Sequence, residues 1–424
     1  MISGVIERAI RAKMTALYRG RLTVELDGSL KSYGPGGHPE ACVHVRDRRF
    51  FAALAFGGHI GAAESYVRGE WETEDLTALA RLFAANRETL DGLETGLARF
   101  SKPILAAVRL LNRNTRRGSA TNIQAHYDLG NEFFSSFLDE TMTYSAGIFL
   151  EPSSSMKEAS IAKYDRLCRR LRLNQDDALV EIGTGWGGFA IYAASTYGCH
   201  VTTTTISFEQ HAFATRRVAE AGLEDRVTVL LRDYRDLDGS FDKLVSIEMI
   251  EAVGHQYLDL YFETCSRLLK PQGLAAIQAI TILEDWYDPE QRQVDFIKKH
   301  IFPGSFIPSL EAIRGASMRA GLELAEETDF TSHYAETLRR WRLRFEENWS
   351  AIAALGFDER FRRLWEFYFC YCEGGFAEGV LRSKQIVLGR PAIVAQWQGA
   401  VAADFTGSGP ATCLNQSPGL EPTS

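Results

Sequence analysis

The sequence lacks the long apolar runs of a membrane-spanning protein: nowhere in its 424 residues do about eighteen apolar residues follow one another. Its start also lacks the uninterrupted apolar core of a secretory signal peptide, because charged residues between Glu7 and Lys13 interrupt it. Cysteine is scarce, and the seven present are an odd number without metal-ligand spacing. A disulfide framework is therefore not expected, and a reducing, cytoplasmic location is expected.

An excess of positive charge is also missing, since the formal net charge is −8 at pH 7. Nucleic acid is therefore not an expected partner. Basic residues nevertheless concentrate in residues 1–21 and 99–117, where they form either solvated faces or a surface that meets a membrane. One predicted helical face, which either docks on its own domain or settles among anionic headgroups, carries Ile2, Val5, Ile6, Ile10, Met14 and Leu17.

The glycine-rich stretch 183–188 (G-T-G-W-G-G) is the most informative feature that is present. It follows a short apolar run, 178–182, that predicts a buried strand, and it predicts a tight turn into a helix. Glycines let a ligand approach the backbone closely, and the start of the helix offers free N–H groups. Such a turn binds a dinucleotide, binds S-adenosylmethionine, or is purely structural.

Two observations separate these ligands. The spacing G-x-G-x-G-G is not the dinucleotide spacing G-x-G-x-x-G, and the second predicted strand, 200–205, ends in threonines instead of the acid that holds an NAD ribose. The third predicted strand, 227–234, ends in Asp233 and Tyr234, a hydrogen-bond acceptor beside a flat ring, which suits an adenine. We therefore predict S-adenosylmethionine, and not NAD, as the cofactor.

The alternation of strands and helices from about residue 178 to 281 predicts an α/β fold with a doubly wound, Rossmann-like sheet of the class I methyltransferase type. A smaller N-terminal α+β domain precedes the sheet, and a helical, aromatic insertion follows it. We expect the domains to span residues 1–118 and 119–400, with a disordered tail at 401–424. Ligands of such sheets bind beyond the carboxyl ends of the strands, where the sequence places Glu181, Asp233, Glu248, Glu251 and Gln278.

Several motifs resemble the cyclopropane-fatty-acyl-phospholipid synthases and the related mycolic-acid methyltransferases in order and spacing. They are 125–134 (AHYDLGNEFF), 143–145 (TYS), 181–188 (EIGTGWGG), 248–255 (EMIEAVGH), 301–304 (IFPG) and 333–338 (HYAETL). The resemblance implies transfer of the methyl group of S-adenosylmethionine to the cis double bond of an unsaturated acyl chain in a membrane phospholipid. The basic residues Arg8, Arg11 and Lys13 and the acid-free stretch 99–117 predict peripheral binding to the inner face of the membrane. The resemblance also implies a homo-oligomer, as in many relatives.

The glycine turn and the resemblance together indicate the site residues. The predicted cofactor-binding residues are Tyr144, Ser145, Glu181, Gly183, Gly185, Gly187, Thr205, Gln210, Asp233 and Tyr234. In relatives a bound bicarbonate is the base, and the positions that hold it correspond to Ala146, Glu251, Gln278, Ile280 and Tyr334. Two of these depart from the family pattern, because Ala146 stands where relatives have a cysteine and Gln278 where they have a histidine. Glu248 is expected either to line the cofactor site or merely to end its strand.

The resemblance leaves the fate of the methylated intermediate, a carbocation, open. Loss of a proton from the new methyl group closes a cyclopropane ring, whereas other outcomes leave a methyl- or methylene-branched chain. The position of the base decides between them, because proton transfer needs close approach. With Glu251 and Tyr334 present, ring closure is the predicted outcome and the branched chain is the alternative. A dinucleotide oxidoreductase and a catalytically inactive lipid-binding module are the rival functions.

Overall fold

The computed structural model describes residues 2–87, 114–115, 118–119, 129–287 and 294–406, with the side chains of 2–5 and 399–406 excepted. Two β-sheets organise these residues. A four-stranded sheet lies in the N-terminal part and a seven-stranded sheet follows it. No helix among the described residues combines the length and the apolarity that crossing a membrane requires.

The first sheet is covered by helices on its apolar face. Its strands alternate buried and more exposed residues, as in Gly20–Leu26, because one face packs on a core and the other meets solvent. The strand order is β2-β1-β3-β4, with β1 and β3 parallel. In chain order the elements are α1 (Ile2–Met14), β1 (Gly20–Leu26), β2 (Ser29–Gly36), β3 (Glu40–Val45), α2 (Arg49–Val67), β4 (Trp71–Glu72) and α3 (Leu76–Ala85).

The apolar face of α1 is buried in the core of this first unit. Ile10 and Met14, with Leu17 just beyond the helix, pack in one cluster with Leu22 of β1 and Phe51 of α2. Of the two roles predicted for this face, docking on its own domain is therefore correct. These three side chains are therefore not available to insert among lipid headgroups, and the side chains of Ile2 and Val5 lie outside the described residues.

The second sheet has the order β10-β11-β9-β8-β5-β6-β7. Its central strands are parallel, whereas β11 pairs antiparallel with both β9 and β10. This is the doubly wound α/β arrangement that the sequence predicts. In chain order the elements up to β9 are α4 (Asn131–Phe137), α5 (Met156–Arg170), β5 (Ala178–Ile182), α6 (Gly188–Tyr197), β6 (His200–Thr205), α7 (Phe208–Glu220), β7 (Val227–Leu231), β8 (Phe241–Ile247), α8 (Leu258–Leu268) and β9 (Leu269–Ile282).

The aromatic insertion, residues 285–378, is largely helical and is called the helical layer below. Its core is built from rings packed edge to face, with Trp365 at 4.6 Å from Phe133 and 5.7 Å from Phe369 between ring centroids. Most of the aromatic residues are thus core residues, as expected. The remaining elements are α9 (Phe296–His300), α10 (Leu310–Arg319), β10 (Glu323–Asp329), α11 (Thr331–Glu347), α12 (Trp349–Ala354), α13 (Glu359–Ala377), β11 (Leu381–Gly389) and α14 (Pro391–Thr406).

Three features differ from the sequence prediction. The third strand of the Rossmann-like unit, β7, ends at Leu231, so Asp233 and Tyr234 lie in the turn beyond it. The edge strand β10 was not predicted, because its sequence ELAEETD is charged on both faces and lacks the alternation of a half-buried strand. Helix α14 reaches Thr406, six residues into the predicted tail, and residues 407–424 lie outside the described residues. Most of the basic stretch 99–117 also lies outside them, and at the predicted domain boundary only residues 118 and 119 are described.

Candidate active site

A cavity of about 540 Å³ opens at the carboxyl edge of the second sheet, where ligands of such sheets bind. One end is lined by the glycine turn after β5 and by the ends of β6 and β8. The other end runs between the helical layer and helices α2 and α3 of the first unit. The cavity therefore joins a polar compartment to an apolar one.

The glycine turn forms the floor of the polar compartment. Gly183, Gly185 and Gly187 all have positive φ angles, of 104°, 52° and 85°, so the turn needs residues without a Cβ. A Cβ built on Gly185 would meet no atom within 4 Å, whereas one on Gly187 would lie 3.2 Å from Ala214. Gly185 thus faces open space in the cavity, and Gly187 serves the packing of α6 against α7.

Polar side chains surround this turn. Glu181 is buried at the end of β5 and accepts a hydrogen bond from Thr203 at 2.6 Å, and burial raises its pKa to about 8. Thr205 donates to Gln210 at 2.8 Å, which fixes both side chains at the rim. Asp233 is held by Arg235 through two hydrogen bonds of 2.8 and 2.5 Å. Its carboxylate is therefore ion-paired with Arg235 and fixed in position, and its role as an acceptor for adenine stays a prediction.

Glu248, which directly follows β8, lies at the centre of the site. Its Oε1 atom accepts hydrogen bonds from the backbone N–H of Ala146 at 3.0 Å and from Nε2 of Gln278 at 2.8 Å. Its Oε2 atom accepts one from the hydroxyl of Tyr334 at 2.7 Å. Burial raises the pKa of Glu248, while the charge of Lys163 and these three hydrogen bonds oppose the rise.

Glu251 is a second carboxyl group in the same cavity, but its surroundings are poorer in donors. Its Oε1 atom accepts a hydrogen bond from the N–H of Ile280 at 2.5 Å, and its buried Oε2 atom has no hydrogen-bond partner among the residues that the structure describes. Burial and the nearby charge of Glu248 raise the pKa of Glu251 to about 8. The two carboxyl groups thus differ: Glu248 is surrounded by donors that favour its anion, and Glu251 favours the protonated form at neutral pH.

A fully buried lysine completes the charge arrangement. Lys163 of α5 donates from Nζ to the hydroxyl of Ser145 at 2.6 Å, and burial lowers its pKa to about 8. The charges of Glu248, Asp139 and Glu181 act in the opposite direction. No sequence motif singled out this residue. The helical spacing of Met156, Ala159, Ser160, Lys163, Tyr164 and Leu167 on one buried face could have revealed it.

The far compartment of the cavity is apolar and includes the first unit. Its walls include Leu54, Ala62, Leu79, Phe83, Phe296 and Phe367. The two units are fastened beside it by polar contacts: Lys299 pairs with Glu64 at 2.5 Å, and Arg363 donates to the carbonyl of Tyr66 at 2.7 Å. The first unit therefore builds part of the site wall, which sequence motifs alone did not indicate.

The structure brings most of the predicted site residues together. Every predicted cofactor-binding residue except Gly187 lines the cavity, namely Tyr144, Ser145, Glu181, Gly183, Gly185, Thr205, Gln210, Asp233 and Tyr234. Of the residues predicted to hold the base, Glu251, Ile280 and Tyr334 line it as well. Ala146 and Gln278 are fully buried behind Glu248, which they contact. His126 lies outside the described residues.

Comparison with known proteins gives consistent matches across most of the chain. Residues 114–386 match the model of the family described as mycolic acid cyclopropane synthetase. The tuberculostearic acid methyltransferase UfaA1 of Mycobacterium tuberculosis is 39% identical over 387 residues, which cover 89% of each chain. The cyclopropane-fatty-acyl-phospholipid synthase of Escherichia coli is 34% identical over 357 residues, covering 84% of this chain and 89% of that protein.

Solved structures show the same relationship. The crystal structure of the mycolic acid cyclopropane synthase CmaA1 complexed with SAH and CTAB superimposes with a TM-score of 0.60 at 30% sequence identity. It covers 63% of this chain and 97% of that one.

Proposed function

The chain belongs to the mycolic acid cyclopropane synthetase family, and we propose that it transfers a methyl group from S-adenosylmethionine to the double bond of an unsaturated acyl chain. It is thus a C-methyltransferase that acts on lipid. The observation that carries this proposal is the cavity, which joins a glycine turn to a long apolar compartment. A dinucleotide oxidoreductase would need a ribose-binding acid at the end of β6, where Thr205 stands.

The residues present fit S-adenosylmethionine. Gly185 leaves open space at the turn, Glu181 offers a buried carboxyl group, and the rim pair Thr205 and Gln210 offers polar groups. The bound cofactor would supply an electrophilic methyl group. SAH, its demethylated form, is bound in the related cyclopropane synthase structure, which supports the assignment.

The apolar compartment fits an acyl chain. Removing each CH₂ group from water contributes about 0.8 kcal/mol, so a long chain binds a dry apolar wall without polar contacts. The same dry walls keep water from the cation formed on the chain after methylation, since water would otherwise quench it. The aromatic side chains of Tyr144, Phe302 and Tyr368 line this region, and the hydroxyls of the two tyrosines are 3.0 Å apart.

Two products are compatible with this chemistry. A methylene- or methyl-branched chain is the first candidate, because the relative that is 39% identical over 89% of both chains is a tuberculostearic acid methyltransferase. A cyclopropane ring is the second, supported by the Escherichia coli synthase at 34% identity. This order reverses the one predicted from the sequence, which had the ring first.

Vesicles of a phospholipid with cis-monounsaturated chains, incubated with the purified protein and methyl-labelled S-adenosylmethionine, provide the test. We expect label in the acyl chains. In the proton NMR spectrum of the extracted fatty esters, we expect the signals of a C=CH₂ methylene branch. Signals upfield of the methyl region would instead establish the cyclopropane. Absence of label from the lipid, or calorimetric binding of NAD without binding of S-adenosylmethionine, would contradict the proposed function.

Peripheral binding to the inner membrane face is part of the proposal and rests on charge alone. Ile10 and Met14 of α1 are buried, but Arg8 and Lys13 on the same helix are exposed. Each basic residue near an anionic surface contributes roughly 1 kcal/mol, and salt screens this attraction. We expect the protein to float with anionic vesicles at low salt and to be released at high salt, whereas binding that ignores salt would contradict this mode.

A further inference from the structure

The carboxylate of Glu248 occupies the place for which an external anion was expected. Three of the positions that the family resemblance implies as holders of bicarbonate are Ala146, Gln278 and Tyr334. In this structure all three donate a hydrogen bond to Glu248, at 3.0, 2.8 and 2.7 Å. The donors are therefore already used by a side chain of the protein itself.

The backbone at Glu248 is built for this placement. Its φ angle is +48°, in the left-handed region that costs a residue with a Cβ about 1 kcal/mol. Its N–H donates to the carbonyl of Gln278 at 2.8 Å, which anchors the residue to β9. A non-glycine residue held in this conformation beside a cavity is a reason to look for a functional role.

The side chain of Gln278 is oriented as a donor by the residues behind it. Its Oε1 atom accepts a hydrogen bond from Gln385 at 3.0 Å, and Gln385 in turn accepts one from Arg166 at 2.5 Å. Because the guanidinium of Arg166 can only donate, the chain has one direction and points Nε2 of Gln278 at Glu248. An amide in this position fixes a carboxylate but cannot itself take up a proton.

Among the described groups that face this point, two carboxyl groups have oxygens able to accept a proton. Glu251 is the weaker candidate, because it has one donor and favours its protonated form at neutral pH. Glu248 has three donors and the ammonium group of Lys163 nearby, which favour the anion. Among the residues that the sequence analysis predicted to hold the base, none is itself a carboxylate held in this way.

We propose that Glu248 is the general base of the reaction and takes the place of an external bicarbonate. This inference rests on the proposed function. After methylation, a C–H bond of the new methyl group breaks and its proton passes to an oxygen of Glu248. The electron pair of that bond can form the third bond of a cyclopropane ring. If a hydride first moves between the two former alkene carbons, the same electron pair instead forms the C=CH₂ double bond of a methylene branch. The cation and the carboxylate thus become a neutral chain and a carboxylic acid.

Glu248→Gly is the decisive variant, because glycine adopts the φ angle without strain and leaves the three donors free for a small anion. Glu248→Gln is its matched control, since the amide fills the same space and cannot accept the proton. Both variants and the wild-type protein are assayed in buffer freed of carbon dioxide, with and without added bicarbonate. Calorimetry with SAH shows whether each variant retains its fold and cofactor site.

We expect the wild-type rate to be independent of bicarbonate. Glu248→Gly should be about 100-fold slower or more, the usual contribution of a general base, and should recover on addition of millimolar bicarbonate. Glu248→Gln should be as slow and should not recover. In ¹³C NMR, labelled bicarbonate should bind to Glu248→Gly but not to the wild-type protein or to Glu248→Gln, and this measurement does not depend on turnover.

Stimulation of the wild-type protein by bicarbonate, binding of labelled bicarbonate to it, or a wild-type rate in Glu248→Gln would overturn the inference. A Glu248→Gly protein that binds SAH normally but neither binds bicarbonate nor is rescued by it would overturn it as well. A wild-type protein that methylates no lipid at all would contradict the proposed function instead. The NMR measurement would still show whether the side chain of Glu248 or bicarbonate occupies the anion position.

Discussion

Replacement of Tyr334 by phenylalanine tests the contact that holds Glu248 from the side of the helical layer. The substitution removes one hydroxyl, which donates to Oε2 of Glu248 at 2.7 Å. The phenylalanine ring retains the stacking of Tyr334 on Phe376, where the ring centroids are 4.3 Å apart. The change is therefore confined to one donor and leaves the packing in place.

The size of the effect follows from the kind of hydrogen bond that is lost. A hydrogen bond to a charged group contributes about 1.5–3 kcal/mol, and a buried carboxylate that loses a donor is not compensated by water. Since about 1.4 kcal/mol corresponds to a factor of ten, we expect product formation near neutral pH to fall roughly 10- to 100-fold. The loss also raises the pKa of Glu248 further, so part of the rate should return as the pH is increased.

Product formation from labelled S-adenosylmethionine is the assay, with SAH affinity measured alongside. Tyr192→Phe is a matched control, because the hydroxyl of Tyr192 also donates to a carboxylate, that of Asp165 at 3.0 Å, but outside the cavity. We expect this control to keep the wild-type rate. A Tyr334→Phe protein with unchanged SAH affinity and a rate within about twofold of wild type would refute the role given to this contact.

Three further substitutions test other parts of the site. Gly185→Ala should lower SAH affinity at least about tenfold, because the new methyl group enters the cofactor compartment. Gly222→Ala is the control: its φ of +65° is similar and its surroundings are equally open, but it lies away from the cavity, so it should share only the cost of about 1 kcal/mol for a Cβ in this backbone conformation. Equal SAH affinities of the two variants in calorimetry would contradict this. Ala62→Phe should narrow the apolar compartment and slow the methylation of long acyl chains more than that of short ones, measured as kcat/KM for each chain, with SAH affinity unchanged; an equal effect on all chain lengths would argue against an acyl site there. Since the pKa of Glu251 is raised from 4.5 to about 8, the folded state holds a proton that the unfolded state loses above its ordinary pKa, and the free energy of unfolding should fall as the pH rises from about 5 to 8. Glu251→Gln should flatten that decline in urea unfolding, although Glu181, whose pKa is also raised to about 8, contributes in the same direction; an unchanged pH dependence would show that Glu251 is not protonated in the folded state.

The sequence predicted those parts of the molecule that depend on local pattern. The apolar run 178–182 and the glycines after it form β5 and the tight turn, and the threonine-rich strand 200–205 has the predicted bounds. These features are visible because strand burial and glycine turns are set by residues next to one another. The charged edge strand β10 could not be predicted in this way, because it is stabilised by residues distant in sequence. It pairs with β11, and Lys384 of β11 forms an ion pair with Glu327.

The sequence pattern could not predict the hydrogen-bond partners of Glu248. Its three donors come from Ala146, Gln278 and Tyr334, which are 102, 30 and 86 residues away along the chain. The departures at Ala146 and Gln278 are visible in the sequence one by one, but only the fold shows that the carboxylate of Glu248 contacts both. The contribution of α2 and α3 to the apolar compartment was likewise invisible, because it arises only when the two units pack together.

S-Adenosylmethionine deuterated in its methyl group, incubated with the purified protein and vesicles of a cis-monounsaturated phospholipid, tests the methyl transfer and the proton removal in one measurement. If the methyl group adds to the double bond and then loses a proton to the base, mass spectrometry of the released fatty esters will show an added carbon that retains two of its three deuterons. An added methyl group that retains all three deuterons would contradict removal of a proton from that group by Glu248, and unlabelled fatty esters would contradict methyl transfer to the acyl chain altogether.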